Sequence, residues 1–149
     1  SPRPMPSFDR MVKRDDLLKV VRELDFLVVL IPMSAETRII VGEKVFAAMK
    51  PSAYLVNVAR GGVVDEPALI KALQEKRIMS AGLDVFANEP EVPQELRTME
   101  NVVLFPHLGS ASVVTRERMD QLMVDNILAW AAGQPPLTPV SETPWRSWN

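Results

Sequence analysis

Cysteine is absent from this sequence, histidine occurs once, as His107, and tyrosine once, as Tyr54. Without thiols there is no disulfide framework, no cysteine nucleophile and no thiolate metal site, and one imidazole does not furnish a zinc centre. No metal is therefore expected. Hydrophobic runs are short too: the longest, residues 26–33, contains a proline and falls far below the ~20 apolar residues of a spanning helix. Charge of one sign is also lacking, because 17 Lys and Arg oppose 19 Asp and Glu, for a formal charge of −2. No basic block stands out, so neither nucleic acid nor a membrane is expected as a partner. Glycine is sparse, with six residues, and nowhere takes the spacing Gly-x-Gly-x-x-Gly. The backbone turn that brings a dinucleotide pyrophosphate to a helix N-terminus is thus missing from these residues. What is left, 47% apolar and 24% charged over 149 residues, suits a globular protein able to bury the core of one ordinary domain.

Against these absences stand three short segments: Asn57-Val58-Ala59-Arg60-Gly61-Gly62, then Asp84-Val85-Phe86 leading to Glu89-Pro90, then Pro106-His107-Leu108-Gly109-Ser110. Each follows an apolar run of strand type, residues 54–58, 81–86 and 102–105, and each is punctuated by Gly or Pro. In an open parallel sheet the carboxyl ends of the strands form the ligand crevice, so residues far apart in sequence converge there. An arginine offers a planar fork of donors for a substrate carboxylate. A histidine takes or gives a proton near neutrality, and a glutamate beside it fixes the tautomer and favours the cation. These parts suit proton movement at an oxygen-bearing carbon beside a carboxylate.

Along the whole chain, periodicity and turn residues predict alternating elements without internal repeats. Residues 8–13 read as a short edge strand, 15–24 as an amphipathic helix capped by Asp15 or Asp16, and 26–31 as a buried strand. A short helix over 42–49 precedes the strand 54–58, and a helix over 66–75, entered through Asp65 and Pro67, precedes the strand 80–86. A Pro-rich loop over 88–93 leads to the strand 102–105 and a long helix over 112–132 ended by Gly133. The tail 134–149, rich in proline and carrying Trp145 and Trp148, reads as an extension packed on another domain or chain. The eight methionines read as core filler. This order predicts an α/β fold, a parallel sheet with helices on its faces.

The runs Ala59-Arg60-Gly61-Gly62-Val63-Val64-Asp65, Gly82-Leu83-Asp84-Val85-Phe86, Glu89-Pro90 and Pro106-His107 resemble the D-isomer-specific 2-hydroxyacid dehydrogenases, which include glyoxylate/hydroxypyruvate reductases. The resemblance extends from about residue 16 to 140, with further agreement at residues 32–38 and 49–51. It implies a Rossmann-type sheet whose first two strands and Gly-rich loop are absent here. Residues 1–110 would be the carboxyl-terminal part of a dinucleotide-binding domain, and 111–149 a helix and tail returning to an absent substrate domain. The opening Ser1 in place of Met fits the same expectation. The activity implied is NAD- or NADP-dependent reversible reduction of a 2-oxoacid to a D-2-hydroxy acid, in a cytoplasmic homodimer. Catalytic roles fall to Arg60, which grips the substrate carboxylate and carbonyl, to His107 as general acid/base, and to Glu89 as its orienting partner. Pro32, Val58, Ala59, Arg60, Asp84, His107, Gly109 and Ser110 would surround the coenzyme.

Plainer readings stand beside these. His107 also reads as a satisfied turn histidine and Arg60 as a surface ion-pair residue. Glu91 competes with Glu89, Asp84 reads equally as a cap or structural pair, and Asp65 reads as the cap of the following helix. Two other functions stay open: a coenzyme-sensing binding protein of the same fold, or a chain inert by itself for want of the pyrophosphate turn. With two strands missing, the resemblance also predicts that residues 1–14 are irregular or that a hydrophobic sheet edge is covered by a second copy.

Overall fold

The computed structural model describes residues 9–142 together with Pro144 and Trp145. Contacts divide the chain into two units, Ser1–His107 and Leu108–Asn149. The first is built on a parallel sheet in the order β1-β2-β3-β4, formed by β1 (Phe26–Val29), β2 (Tyr54–Asn57), β3 (Ser80–Leu83) and β4 (Val102–Leu104). Phe26 pairs with Tyr54, Tyr54 with Ser80, and Ala81 with Val102. Parallel neighbours need crossover connections. These are supplied by α2 (Glu43–Ala48), α3 (Glu66–Gln74) and α4 (Gln94–Thr98), while α1 (Leu17–Val20) precedes the sheet. The sheet is parallel, as the alternation of elements predicts, and of Rossmann type, as the resemblance implies.

Because strand side chains alternate between faces, one face of the sheet carries Val29, Leu55, Asn57, Ala81 and Leu83 into the interior. There they join Phe46, Leu69, Leu73, Ile78 and Leu96 in one buried cluster. The other face presents Phe26, Val28, Tyr54 and Val103 to the exterior, and the rings of Phe26 and Tyr54 stack with centroids 5.0 Å apart. The helix α3 forms where its sequence signals lie. The Asp65 carboxylate accepts the Ala68 N–H at 3.2 Å, Pro67 sits in the first turn, and Leu69, Ala72 and Leu73 are buried.

Several expectations are corrected. Residues 9–13 form no strand, and Phe8, where that strand would begin, lies outside the described residues. A lone segment without a paired neighbour leaves its ladder hydrogen bonds unmade, and of the stretch expected to be irregular, residues 9–13 are so, residues 1–8 lying outside the described residues. The helix expected over 15–24 contracts to a 3-10 turn, Arg14–Asp16, and the single turn α1. Asp16 makes no capping bond; its carboxylate accepts from the Lys19 ammonium at 2.8 Å. The strand at 26–31 stops at Val29 and is half exposed, Phe26 by 61%. It lies at the sheet margin with one face uncovered. The sequence reading does not foresee α4, a five-residue helix burying only Leu96 and so carrying no periodic signal. Of the described methionines Met49 is buried and Met99 partly so, whereas Met11, Met33, Met79, Met119 and Met123 are exposed rather than core filler.

The second unit holds α5 (Val113–Ala131). The Ser112 hydroxyl caps it by accepting the Thr115 N–H at 3.2 Å. Gly133, at φ 69°, closes it by donating its N–H to the Trp130 carbonyl at 3.0 Å, a conformation glycine adopts without a Cβ penalty. The tail turns back on the helix through Asn126, whose amide donates to Thr138 Oγ1 at 3.0 Å and accepts the Thr138 N–H at 3.1 Å. Trp145 is half-buried, and Trp148 lies outside the described residues.

Candidate active site

Four parallel strands ending on one edge place the residues that follow them, Leu30, Val58, Asp84 and Phe105, along a common rim. Beyond β4 the chain turns sharply at Pro106-His107, and His107 takes a left-handed backbone, φ 55°. Non-glycine residues in this region are uncommon and cluster at functional sites. Beyond β3 the chain passes through Asp84, Val85 and Phe86 into the loop bearing Glu89. The two excursions meet: Glu89 Oε2 lies 2.7 Å from His107 Nδ1. The other oxygen, Oε1, accepts the Phe86 N–H at 3.0 Å, so both carboxylate oxygens are committed.

The hydrogen bond from His107, and after it the one from Phe86, hold the Glu89 carboxyl below its ordinary value of 4.5, and the positive charge of Arg60 acts in the same sense. An ionised carboxylate only accepts, so Nδ1 carries the proton of this bond and Nε2 is left for an external partner. His107 is 46% exposed and Glu89 34%. The pair lines a cavity of about 320 Å³ with Phe86, Pro90, Val92, Leu104, Phe105 and Pro106. Glu91, the competing carboxylate, is tied into the loop by its own N–H, which donates to the Asn88 carbonyl at 3.0 Å.

Arg60 belongs to a second, neighbouring cleft. Leu30, Ile31, Pro32, Met33, Val58, Ala59 and Arg60 line it beyond β1 and β2. Four of the expected site residues, Pro32, Val58, Ala59 and Arg60, therefore share one cleft, and Glu89 and His107 share another. The Arg60 guanidinium folds onto the Ala59 carbonyl at 2.6 Å. Asp84 is buried at the end of β3, its N–H donating to the Asn57 carbonyl at 3.0 Å. Gly109 and Ser110 fall in the second unit.

Residues to which the sequence alone assigns no individual role support this rim. Asn57, only 1% exposed, staples the turn that carries Arg60: its Oδ1 accepts the Ala59 N–H at 3.1 Å and its Nδ2 donates to the Arg60 carbonyl at 3.2 Å. The signal was an Asn at a strand end before a tight turn, where its side chain mimics backbone hydrogen bonding. Gly61 is required by close approach, since a Cβ there would overlap the Phe86 carbonyl and the Ala87 nitrogen. Glu66, the first residue of α3, accepts the Ala87 N–H at 3.2 Å.

A parallel α/β sheet with a carboxylate–imidazole pair and a mainly apolar cleft along its carboxyl rim is the arrangement of a nucleotide-binding type of domain. The chain belongs to the D-isomer specific 2-hydroxyacid dehydrogenases, whose NAD binding domain matches residues 2–109. It is 47% identical over 126 residues to a glyoxylate reductase of Pyrococcus furiosus, covering 85% of this chain and 38% of that protein. Against a hydroxyphenylpyruvate reductase of Plectranthus scutellarioides identity is 48% over 124 residues, covering 83% of this chain and 40% of the relative. Among solved structures it superposes on an NADPH-dependent glyoxylate/hydroxypyruvate reductase of Sinorhizobium meliloti, determined with NADP and malonate. The TM-score is 0.87 and identity 44%, covering 99% of this chain and 46% of that one. The chain thus spans less than half the length of each of these relatives.

Proposed function

We propose that the protein is an oxidoreductase that reversibly reduces a 2-oxoacid, such as glyoxylate or hydroxypyruvate, to a D-2-hydroxy acid with NAD(P). The observation that carries this reading is the 2.7 Å contact between Glu89 and His107 Nδ1 beyond the parallel sheet of a family NAD binding domain. In reduction, His107 gives the Nε2 proton to the C2 oxygen, and Glu89 holds the imidazole in the tautomer and orientation that make Nε2 the working atom. The Arg60 guanidinium, released from the Ala59 carbonyl, grips the substrate carboxylate and stabilises negative charge developing on the carbonyl oxygen. In oxidation the same residues act in reverse and His107 takes the proton.

The cleft of Pro32, Val58, Ala59 and Arg60, mainly apolar at the end of two parallel strands, fits a nicotinamide coenzyme, which supplies the hydride chemistry when bound. Asp84 is assigned to the same coenzyme surroundings, and for Gly109 and Ser110 the family resemblance alone supports that role. No Gly-x-Gly-x-x-Gly turn stands among the 149 residues, so the reading requires a pyrophosphate-binding segment from outside them. The similarity to glyoxylate reductases supports a small 2-oxoacid as substrate. A cytoplasmic homodimer goes with the same reading, supported for pairing by the apolar residues exposed along α5, such as Met119, Met123 and Ile127. No described helix is long and apolar enough to cross a membrane.

The test is coenzyme-dependent reduction of glyoxylate and hydroxypyruvate, followed at the nicotinamide absorbance. His107→Gln is expected to lower turnover by about 10²- to 10⁴-fold with little change in coenzyme binding. Unchanged turnover would remove His107 from the mechanism.

A further inference from the structure

The loop that carries Glu89 is gripped at two successive peptide nitrogens by two different carboxylates. Phe86 donates its N–H to Glu89 Oε1 at 3.0 Å, and Ala87 donates its N–H to Glu66 Oε2 at 3.2 Å. On its other side the Phe86–Ala87 peptide presses against Gly61, where a side chain has no room. Gly61 follows Arg60 directly and opens a 3-10 turn, Gly61–Val63, that runs through Asp65 into α3, the helix led by Glu66. Two successive peptide units are thus held at Phe86: Phe86–Ala87 between the Arg60 turn and the first residue of α3, and Val85–Phe86 by the carboxylate that meets His107.

We propose that Glu66 is a positioning residue for the Glu89–His107 pair: by holding the Ala87 N–H it fixes the Phe86–Ala87 peptide against Gly61, and with it the adjoining Phe86 N–H that aims Glu89 at His107 Nδ1. The role rests on the catalytic reading of His107 given above. Glu66 touches neither His107 nor the cavity beside it, so it acts only through the backbone. The physical reason it matters is angular. Glu89 reaches His107 from a loop, and a loop carboxylate keeps a 2.7 Å bond only if the backbone at its root is stationary. Phe86 N–H supplies that root, and losing its neighbour's anchor on α3 lets the peptide rotate. The ordinary alternative is that Glu66 merely places negative charge in the first turn of a helix, where it favours the dipole.

Three substitutions separate the two roles. Glu66→Ala removes the acceptor, Glu66→Gln keeps an oxygen acceptor without the charge, and Asp65→Ala destabilises the same helix by removing its cap. In the enzyme, Glu66→Ala is expected to lower kcat about tenfold, the scale of a sub-ångström misplacement, with the KM for coenzyme unchanged. Glu66→Gln should restore kcat, and Asp65→Ala should lower the Tm yet leave kcat in place. A second readout needs no turnover: the Nδ1 signal of His107 in the ring ¹⁵N spectrum, assigned by its disappearance in His107→Gln. Its proton should be protected from water exchange in the wild type, Glu66→Gln and Asp65→Ala proteins, and exposed in Glu66→Ala. If Glu66→Ala and Asp65→Ala alter only Tm, and to similar extents, the positioning role is overturned and the helix role stands. If the wild-type protein reduces no 2-oxoacid, the functional proposal fails while the exchange experiment still judges the clamp.

Discussion

Glu89 concentrates the electrostatics of the site in one side chain. Its folded-state pKa is depressed, first by the His107 hydrogen bond and then by the Phe86 N–H. A depressed acid pKa contributes stability that is present above the unfolded value, here ordinarily 4.5, and is lost as pH falls through the folded value. Urea unfolding of the wild type and of Glu89→Gln should therefore differ above 4.5, the wild type being the more stable, and converge as pH falls through the depressed folded-state value. A separation independent of pH would show that the carboxylate is not held by these partners. Asn57 makes a different residue-scale case, because it is buried and uncharged. Asn57→Ala leaves the Ala59 N–H and the Arg60 carbonyl without their partner, a loss of about 1–3 kcal/mol. Chemical denaturation should show that loss, together with a raised KM for the 2-oxoacid as Arg60 is freed.

Elements differ in how far their own sequence supports them. The helix α3 has a capping Asp65, Pro67 in the first turn and an apolar stripe that is buried, and its expected bounds, 66–75, differ from the observed Glu66–Gln74 by one residue. The single turn α1 buries none of its own residues, and the periodicity read over 15–24 does not survive as one helix. Length explains the contrast, since a short helix without a buried face cannot offset its nucleation. The helix α5 is long and correctly bounded by Ser112 and Gly133, yet it too has no buried residue. Local signals must then carry it, so Ser112→Ala is expected to destabilise its first turns by about 1 kcal/mol. Amide exchange at Thr115 and Arg116 reads this directly: faster exchange there with an unchanged centre of the helix is the expected pattern.

At the scale of the whole molecule, the sheet has one covered and one open face. Phe26, Val28, Tyr54 and Val103 are all exposed on the open side, and β1 lies at the margin of the sheet. Contiguous apolar surface beside an unpaired strand edge favours self-association. Val28→Lys, which places a charge on that face without touching the covered one, should lower the scattering of concentrated solutions of this chain and leave its Tm nearly unchanged. Scattering that persists would locate the sticky surface on α5, which exposes nine large apolar side chains.

Much of this protein was legible in the residues alone. The places of the four strands, their parallel direction, the cap at Asp65 and the stop at Gly133 follow from local chemistry, in which alternation, Gly, Pro and short polar side chains act over a few residues. The pairing of Glu89 rather than Glu91 with His107 followed from motif position, not from spacing, because both carboxylates stand in the same loop. Only the tertiary structure decided that Arg60 and the Glu89–His107 pair occupy adjoining clefts, that β1 is half bare, and that Gly61 and Glu66 seat the Phe86–Ala87 peptide. The reason is separation along the chain: residue 66 finds residue 87, and residue 89 finds residue 107, only after the sheet has brought the ends of its strands to a common rim.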